Sequence, residues 1–225
     1  HETNISKSLS IIDNLKTSKS HTNPKTYYGN KDKWRLMLKE TDADIVVIST
    51  DWDTHGIMAI ETMKNNMHAF VEVPLANTIK DLWEIVNTSE KFQKHCMMME
   101  NVNYGREELM FLNICRKGLL GELYHGEAAY IHDLRWQMYE EEIGTGSWRT
   151  LQYEKKKGNL YPTHGLGPVS QYMNLLRTDD TFKTLISFSS PALGREKFAR
   201  ENFKENHKWN KLNYQHGDLN TTVIK

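Results

Sequence analysis

The 225 residues carry 29 basic and 29 acidic side chains, and 38% of them are hydrophobic against 26% charged. That balance fits a globular protein with one substantial core or two small ones, and it excludes a global field that would draw nucleic acid or an anionic membrane surface. No apolar run is long enough to span a bilayer.

Residues 1–41 are polar, with one helix expected around Ser8 to Leu15 and a loop to Tyr28. From Asp44 the continuous β-branched run Ile45-Val46-Val47-Ile48 reads as a strand buried on both faces of a parallel sheet. Ile57, Met58, Ile60 and Met63 are helically spaced between a start at Thr54 and a stop at Asn65-Asn66, and Ala69 to Val73 is the next strand, which completes a βαβ unit. Thr78 caps a further helix through Leu82, Ile85 and Val86, and Met97-Met98-Met99 is a third short strand. Beyond Tyr104 the pattern changes. A helix carries Leu109, Met110, Phe111, Ile114 and Cys115 to a stop at Gly118, and a strand is expected over Glu122 to His132. A domain boundary is therefore placed near residue 103, dividing 1–103 from 104–225. Lys197 to His216 is lysine- and asparagine-rich and reads as a surface excursion before a strand over Leu219 to Ile224.

The fold class is thus α/β, with a partial Rossmann-type dinucleotide-binding domain first. Such a domain normally opens on a strand and a Gly-x-Gly-x-x-Gly turn; that motif does not occur here, which reads as truncation. The chain opens on His1-Glu2-Thr3-Asn4 without a basic-then-apolar leader, and its compartment stays open.

Candidate functional residues gather where strands run out, the place at which open α/β sheets bind ligands. Thr50-Asp51-Trp52-Asp53-Thr54-His55 is one such stretch, whose plainer reading is an N-cap beside a packed Trp. Glu72-Val73 before Pro74, and Asn101 and Tyr104 after the third strand, point to the same edge. Tyr130 and His132 fall on one face of a strand and His125 on the other, which disfavours a metal site shared by the two histidines, and no metal is expected. Glu140-Glu141-Glu142 reads as a solvated face rather than a glycosidase carboxylate pair. Cys96 and Cys115 are too few for a disulfide framework and lack zinc spacing, so apolar packing is their expected role. Trp148-Arg149 offers a stacking surface with a fixed cation. In Tyr161-Pro162-Thr163-His164 an imidazole and a phenol lie three residues apart. The imidazole suits acid–base work, and the phenol needs a nearby positive charge to act as a base, which an oxidised nicotinamide would supply.

Taken together, Trp52 to His55, Glu72-Val73-Pro74, Glu100 to Tyr104, His125-Gly126-Glu127, Tyr130 with His132 to Arg135, Ser147-Trp148-Arg149 and Asn159 to Gly165 resemble glycoside hydrolase family 109, over about residues 40–195. These are the NAD-dependent α-N-acetylgalactosaminidases within the Gfo/Idh/MocA oxidoreductase superfamily. The resemblance implies a second α/β domain with a large, mostly antiparallel sheet, and a tightly held NAD regenerated each turnover. In the family's mechanism the sugar hydroxyl at carbon 3 is oxidised, the ketone acidifies the proton on carbon 2, and elimination expels the substituent on carbon 1. Water then adds back and the ketone is reduced, with retention, so no carboxylate pair is needed.

Carried over by position, the resemblance makes Trp52, Asp53, Thr54, His55, Glu72, Val73, Asn101 and Tyr161 the cofactor-binding set. It makes Tyr130, Arg149, Tyr161, Pro162, Thr163 and His164 the substrate-binding set, with Tyr161, His164 and Tyr104 as catalytic candidates. Ordinary sugar dehydrogenases of the superfamily carry Glu-Lys-Pro where this chain has Glu72-Val73-Pro74, which favours the glycosidase branch over an NAD(P)-dependent sugar oxidoreductase. Asp51 replaces the family's usual Pro before the Trp. The implied partner is a glycan ending in N-acetylgalactosamine. A homo-oligomer is allowed, and the compartment stays open between the bacterial periplasm or cell envelope and the cytoplasm. The third alternative is a fragment without activity.

Overall fold

The protein is described from a computed structural model, over residues 2–15, 24–140, 146–177 and 180–225, with side chains from residue 5 of the first stretch. Glu141 and Glu142 of the acidic run, and Gly144-Thr145, lie outside the described residues.

Two helices open the chain, α1 (Glu2–Leu15) and α2 (Lys33–Glu40). Then β1 (Ile45–Ile48), α3 (Trp52–Lys64), β2 (His68–Val71), α4 (Ile79–Phe92) and β3 (Cys96–Met98) follow as two successive βαβ units. The sheet is parallel in the order β1-β2-β3, with Ile45 opposite His68 and Ala69 opposite Cys96. Local signals set these elements. Asp51 caps α3 by accepting from the Asp53 amide, and Thr78 caps α4 by accepting from the Asp81 amide, each satisfying a donor that the first turn leaves free.

The core of this half lies between the sheet and its two crossover helices, where Ala59, Met63, Ala69 and Val71 are fully buried beside Ile48, Ile60 and Ile85. The expectation that β1 is buried on both faces is corrected. Ile45 is 47% and Val47 63% exposed, because α3 and α4 pack against each other and cover the side of the sheet to which Ile48, Ala69 and Val71 point.

In the second half, a 3-10 turn (Asn101–Tyr104) leads into α5 (Arg106–Arg116), followed by α6 (Trp148–Lys155), α7 (Thr163–Tyr172), β4 (Leu185–Ser189), α8 (Leu193–Asn202) and β5 (Asn220–Ile224). Not every expectation is met here. Residues 122–132 form no strand and pair with no ladder among the described residues, since an extended segment becomes a strand only where another edge meets its backbone groups. Of the large antiparallel sheet that the resemblance implies, the described residues hold a two-stranded ladder, β4 against β5, with Leu185 opposite Ile224. Residues 197–216 are no surface excursion. Ala199, Trp209 and Tyr214 from this stretch are buried with Trp52, Met138, Tyr153 and Leu160 in a second core. The Trp209 indole N–H donates to the Met138 carbonyl at 2.7 Å, giving that ring's polar end a partner inside an apolar cluster.

Candidate active site

The site forms where the carboxyl ends of β1 and β3 meet the first turns of α6 and α7. Trp52, the first residue of α3, is 3% exposed and belongs to the second core. Its indole makes edge contacts with Trp148 and with Tyr161, both at 5.4 Å between centroids. Asp53 beside it accepts from Asn77 at 2.8 Å and from Gln152 of α6 at 3.0 Å, with Lys155 at 3.9 Å. Lys156 reaches Asn77 at 2.5 Å. The start of α3 is thereby fastened to α6, and the aromatic wall is continuous across the two halves.

Tyr161 and His164 stand just before and inside the start of α7. Their rings stack 5.7 Å apart at 15°. Tyr130 closes the group, with its ring 5.1 Å from Tyr161 and 4.7 Å from His164. The approach depends on glycine at two places: a Cβ at Gly165 would meet the Ala128 Cβ at 3.0 Å, and one at Gly126 would meet Val169 at 2.8 Å. The segment that delivers Tyr130 can lie on α7 because neither position has a side chain. The Tyr130 hydroxyl also pairs with His132 Nδ1 at 2.9 Å.

Below this group His164 Nδ1 donates to Glu100 Oε1 at 2.6 Å, with the two side chains 9% and 2% exposed. The same oxygen accepts from the Val102 amide at 3.1 Å. Glu100 Oε2 is buried without a partner among the described residues. Glu100 stands in the motif read from the sequence but was given no role there. Its available signal was a carboxylate closing a buried strand, and its meaning rests on a histidine 64 positions away.

Arg149, in the first turn of α6, lies over Trp148 at 4.4 Å and over Trp52 at 6.0 Å, and no carboxylate pairs with it among the described residues. Burial pushes the Tyr161 phenol well above its ordinary value, the neighbouring Tyr153 adds to this, and Arg149 opposes it. As the protein stands, Tyr161 is therefore held as a neutral hydrogen-bond donor rather than as a base.

The other predicted positions divide. Thr54 is spent locally, on Thr50 at 2.7 Å and the Asp51 carbonyl at 2.9 Å. His55 is 1% exposed, with Nδ1 2.7 Å from the Pro74 carbonyl oxygen and Nε2 3.1 Å from that of Thr50. Glu72 and Asn101 are exposed at the strand ends, Val73 is half-buried, and Pro162 and Thr163 begin α7. Tyr104 is 54% exposed and makes no ring contact with the cluster. His125 pairs with Glu127 at 3.0 Å, apart from His132, and no group of three metal-binding side chains occurs among the described residues. Cys96 and Cys115 are free and half-buried, and burial pushes the Cys96 thiol up to about 11. No helix among the described residues is long and apolar enough to cross a membrane.

Two parallel βαβ units with polar groups at the strand ends define a Rossmann-type architecture, and residues 3–100 match the family described as "Oxidoreductase family, NAD-binding Rossmann fold". NAD is the cofactor of that class of domain. A dehydrogenase structure titled as the WlbA enzyme of Chromobacterium violaceum, in complex with NADH and UDP-GlcNAcA, shares the fold at TM-score 0.58 and 15% identity, over 97% of this chain and 53% of that one. Residues 104–225 match "Glycosyl hydrolase 109, C-terminal domain", and the chain belongs to glycosyl hydrolase family 109. It is 56% identical over 207 residues to glycosyl hydrolase family 109 protein 1 of Akkermansia muciniphila, covering 92% of this chain and 43% of that protein. It is 59% identical over 202 residues to the α-N-acetylgalactosaminidase of Shewanella oneidensis, covering 90% and 44%. The chain thus spans less than half the length of these relatives.

Proposed function

We propose that this chain carries the reacting part of an NAD-dependent α-N-acetylgalactosaminidase, with its two domains meeting near residue 103. The observation that carries the reading is the Tyr130–Tyr161–His164 cluster, backed by a buried carboxylate at the end of a Rossmann-type sheet. The residues fit the cofactor: Glu72 and Asn101 are exposed polar groups at the strand ends, and with Val73 and the Tyr161 ring they would hold the nicotinamide half of NAD. When bound, NAD supplies reversible hydride acceptance at a sugar carbon and so makes the adjoining C–H acidic.

The chain's own groups then have distinct tasks. Tyr130 and the Trp148–Arg149 pair would bind the sugar, with the guanidinium presenting donors to hydroxyl or acetamido oxygens while its plane stays stacked on Trp148. His164 Nε2, which makes no hydrogen bond among the described residues, would take the proton of the sugar hydroxyl. Tyr161, kept neutral by burial, would begin as the donor and stabilise oxygen as negative charge develops on it. Tyr104 stands too exposed to share in these steps except through a ligand that reaches it.

The test uses the Shewanella relative with its matching 202-residue segment replaced by this chain. Release of 4-nitrophenol from its α-N-acetylgalactosaminide, dependent on NAD and without net NADH, is expected. Tyr161→Phe and His164→Ala should each lower the rate by roughly 10²–10⁴. Net NADH from free sugars without nitrophenol would instead identify an NAD(P)-dependent sugar oxidoreductase, and full activity in both variants would remove the pair from the chemistry.

A further inference from the structure

We infer that Glu100 is the positioning residue of His164: its carboxylate fixes the imidazole with the proton on Nδ1 and leaves the Nε2 lone pair for the ligand. The inference deepens the galactosaminidase reading, but its first test does not need that reading to hold.

The geometry assigns each atom a role. A carboxylate oxygen 2.6 Å from Nδ1 can only accept, so the ring nitrogen there must be the one bearing hydrogen. Which oxygen of Glu100 faces the ring is also set, because Oε1 accepts from the Val102 amide at 3.1 Å as well. Glu100 is 2% exposed and its Oε2 has no donor among the described residues; a carboxylate buried in this way is costly unless a cation or a ring able to become one stands beside it, and His164 is the ring in place. When Nε2 takes a proton from the substrate, the charge that the ring gains has its counter-charge already in contact. The arrangement is further held by Gly167, where a Cβ would meet Asn103 Oδ1 at 2.9 Å and Glu100 Cγ at 3.1 Å. A purely structural reading is available, in which Glu100 caps the 3-10 turn and ties β3 to α7. It fixes the same tautomer but asks nothing of kcat.

The experiment is nitrogen-15 NMR of the histidine side chains on this chain, with His164 assigned by its Gln variant. Protonation at Nδ1 and a bare Nε2 are expected. Glu100→Gln should keep that tautomer, since the Val102 amide holds the oxygen toward the ring, whereas Glu100→Ala should move the proton to Nε2 or mix the two forms. A wild-type ring protonated at Nε2, or an unchanged tautomer in Glu100→Ala, overturns the inference whatever the enzyme's substrate proves to be. In the Shewanella hybrid, Glu100→Gln separates charge from tautomer: kcat should fall on the order of 10²-fold with KM within about twofold. An unchanged kcat, in a hybrid that releases nitrophenol, overturns the counter-charge role. Circular dichroism on each variant shows that the fold is kept.

Discussion

Trp52-Asp53-Thr54-His55 at the start of α3 and Tyr161-Pro162-Thr163-His164 at the start of α7 share an aromatic residue, a threonine and a histidine in the same register. In both, the imidazole is nearly shut off from solvent. At His55 each ring nitrogen lies against a backbone carbonyl, of Pro74 and of Thr50, so the ring is used up joining two strand-end loops. At His164 one nitrogen meets a carboxylate and the other has no protein partner among the described residues. The aromatic residues differ in the same way: Trp52 is sunk into the second core, whereas Tyr161 is only partly buried and forms a wall shared with Tyr130. Identical spacing therefore yields a clamp in one place and a reactive group in the other, and what decides is the chemistry of the atom facing each ring nitrogen.

The sharpest way to break this comparison is to remove each ring and measure stability by urea unfolding of this chain. His164→Ala strands the Glu100 carboxylate, and a buried charged acceptor left without its donor costs about 3 kcal/mol or more. Adding Glu100→Gln to that variant removes the stranded charge and should recover part of the loss. If the double variant is no more stable than the single one, Glu100 carries no stranded charge in the folded protein.

His55→Ala strands neutral carbonyls instead, so a smaller loss of roughly 1–3 kcal/mol is expected. No charge is left behind, and Glu100→Gln in that background should add its own cost without recovery, since the two sites share no partner. A loss for His55→Ala below about 0.5 kcal/mol would mean that the ring is no clamp.

The sequence showed the first half well and the site only partly, for physical reasons. β1, α3, β2, α4 and β3 were legible because apolar periodicity and the caps at Asp51 and Thr78 act over a few residues. What covers each face of β1 was not, since that depends on where the crossover helices lie. Residues 122–132 have strand-like alternation but meet no edge among the described residues, and the polar run 197–216 concealed Trp209 and Tyr214, whose burial is set by Trp52, Met138 and Tyr153 from far away in the chain. Tyr130, Arg149, Tyr161 and His164 were found in sequence and do come together in space. Glu100 was missed because nothing near it in the chain shows that its partner sits on α7.

The phenols repeat the contrast on a smaller scale, and Tyr214 gives the finest test of it. Burial raises both Tyr161 and Tyr214, the latter to about 12, but the Tyr214 hydroxyl is committed to the Trp209 carbonyl at 2.9 Å inside the second core. A raised phenol binds its proton more tightly folded than unfolded. Below the ordinary tyrosine value of about 10 both states are protonated and the full contribution to stability is present. Above it the unfolded chain loses the proton first, so stability falls as pH rises toward 12. Tyr214→Phe should cost about 1 kcal/mol at neutral pH through the lost hydrogen bond and should flatten the decline above pH 10. Tyr161→Phe should flatten it too, at less cost at neutral pH, because its hydroxyl meets the Tyr153 phenol rather than a buried backbone carbonyl. Equal neutral-pH costs for the two variants would erase the distinction between a phenol that holds the fold and one that serves the site.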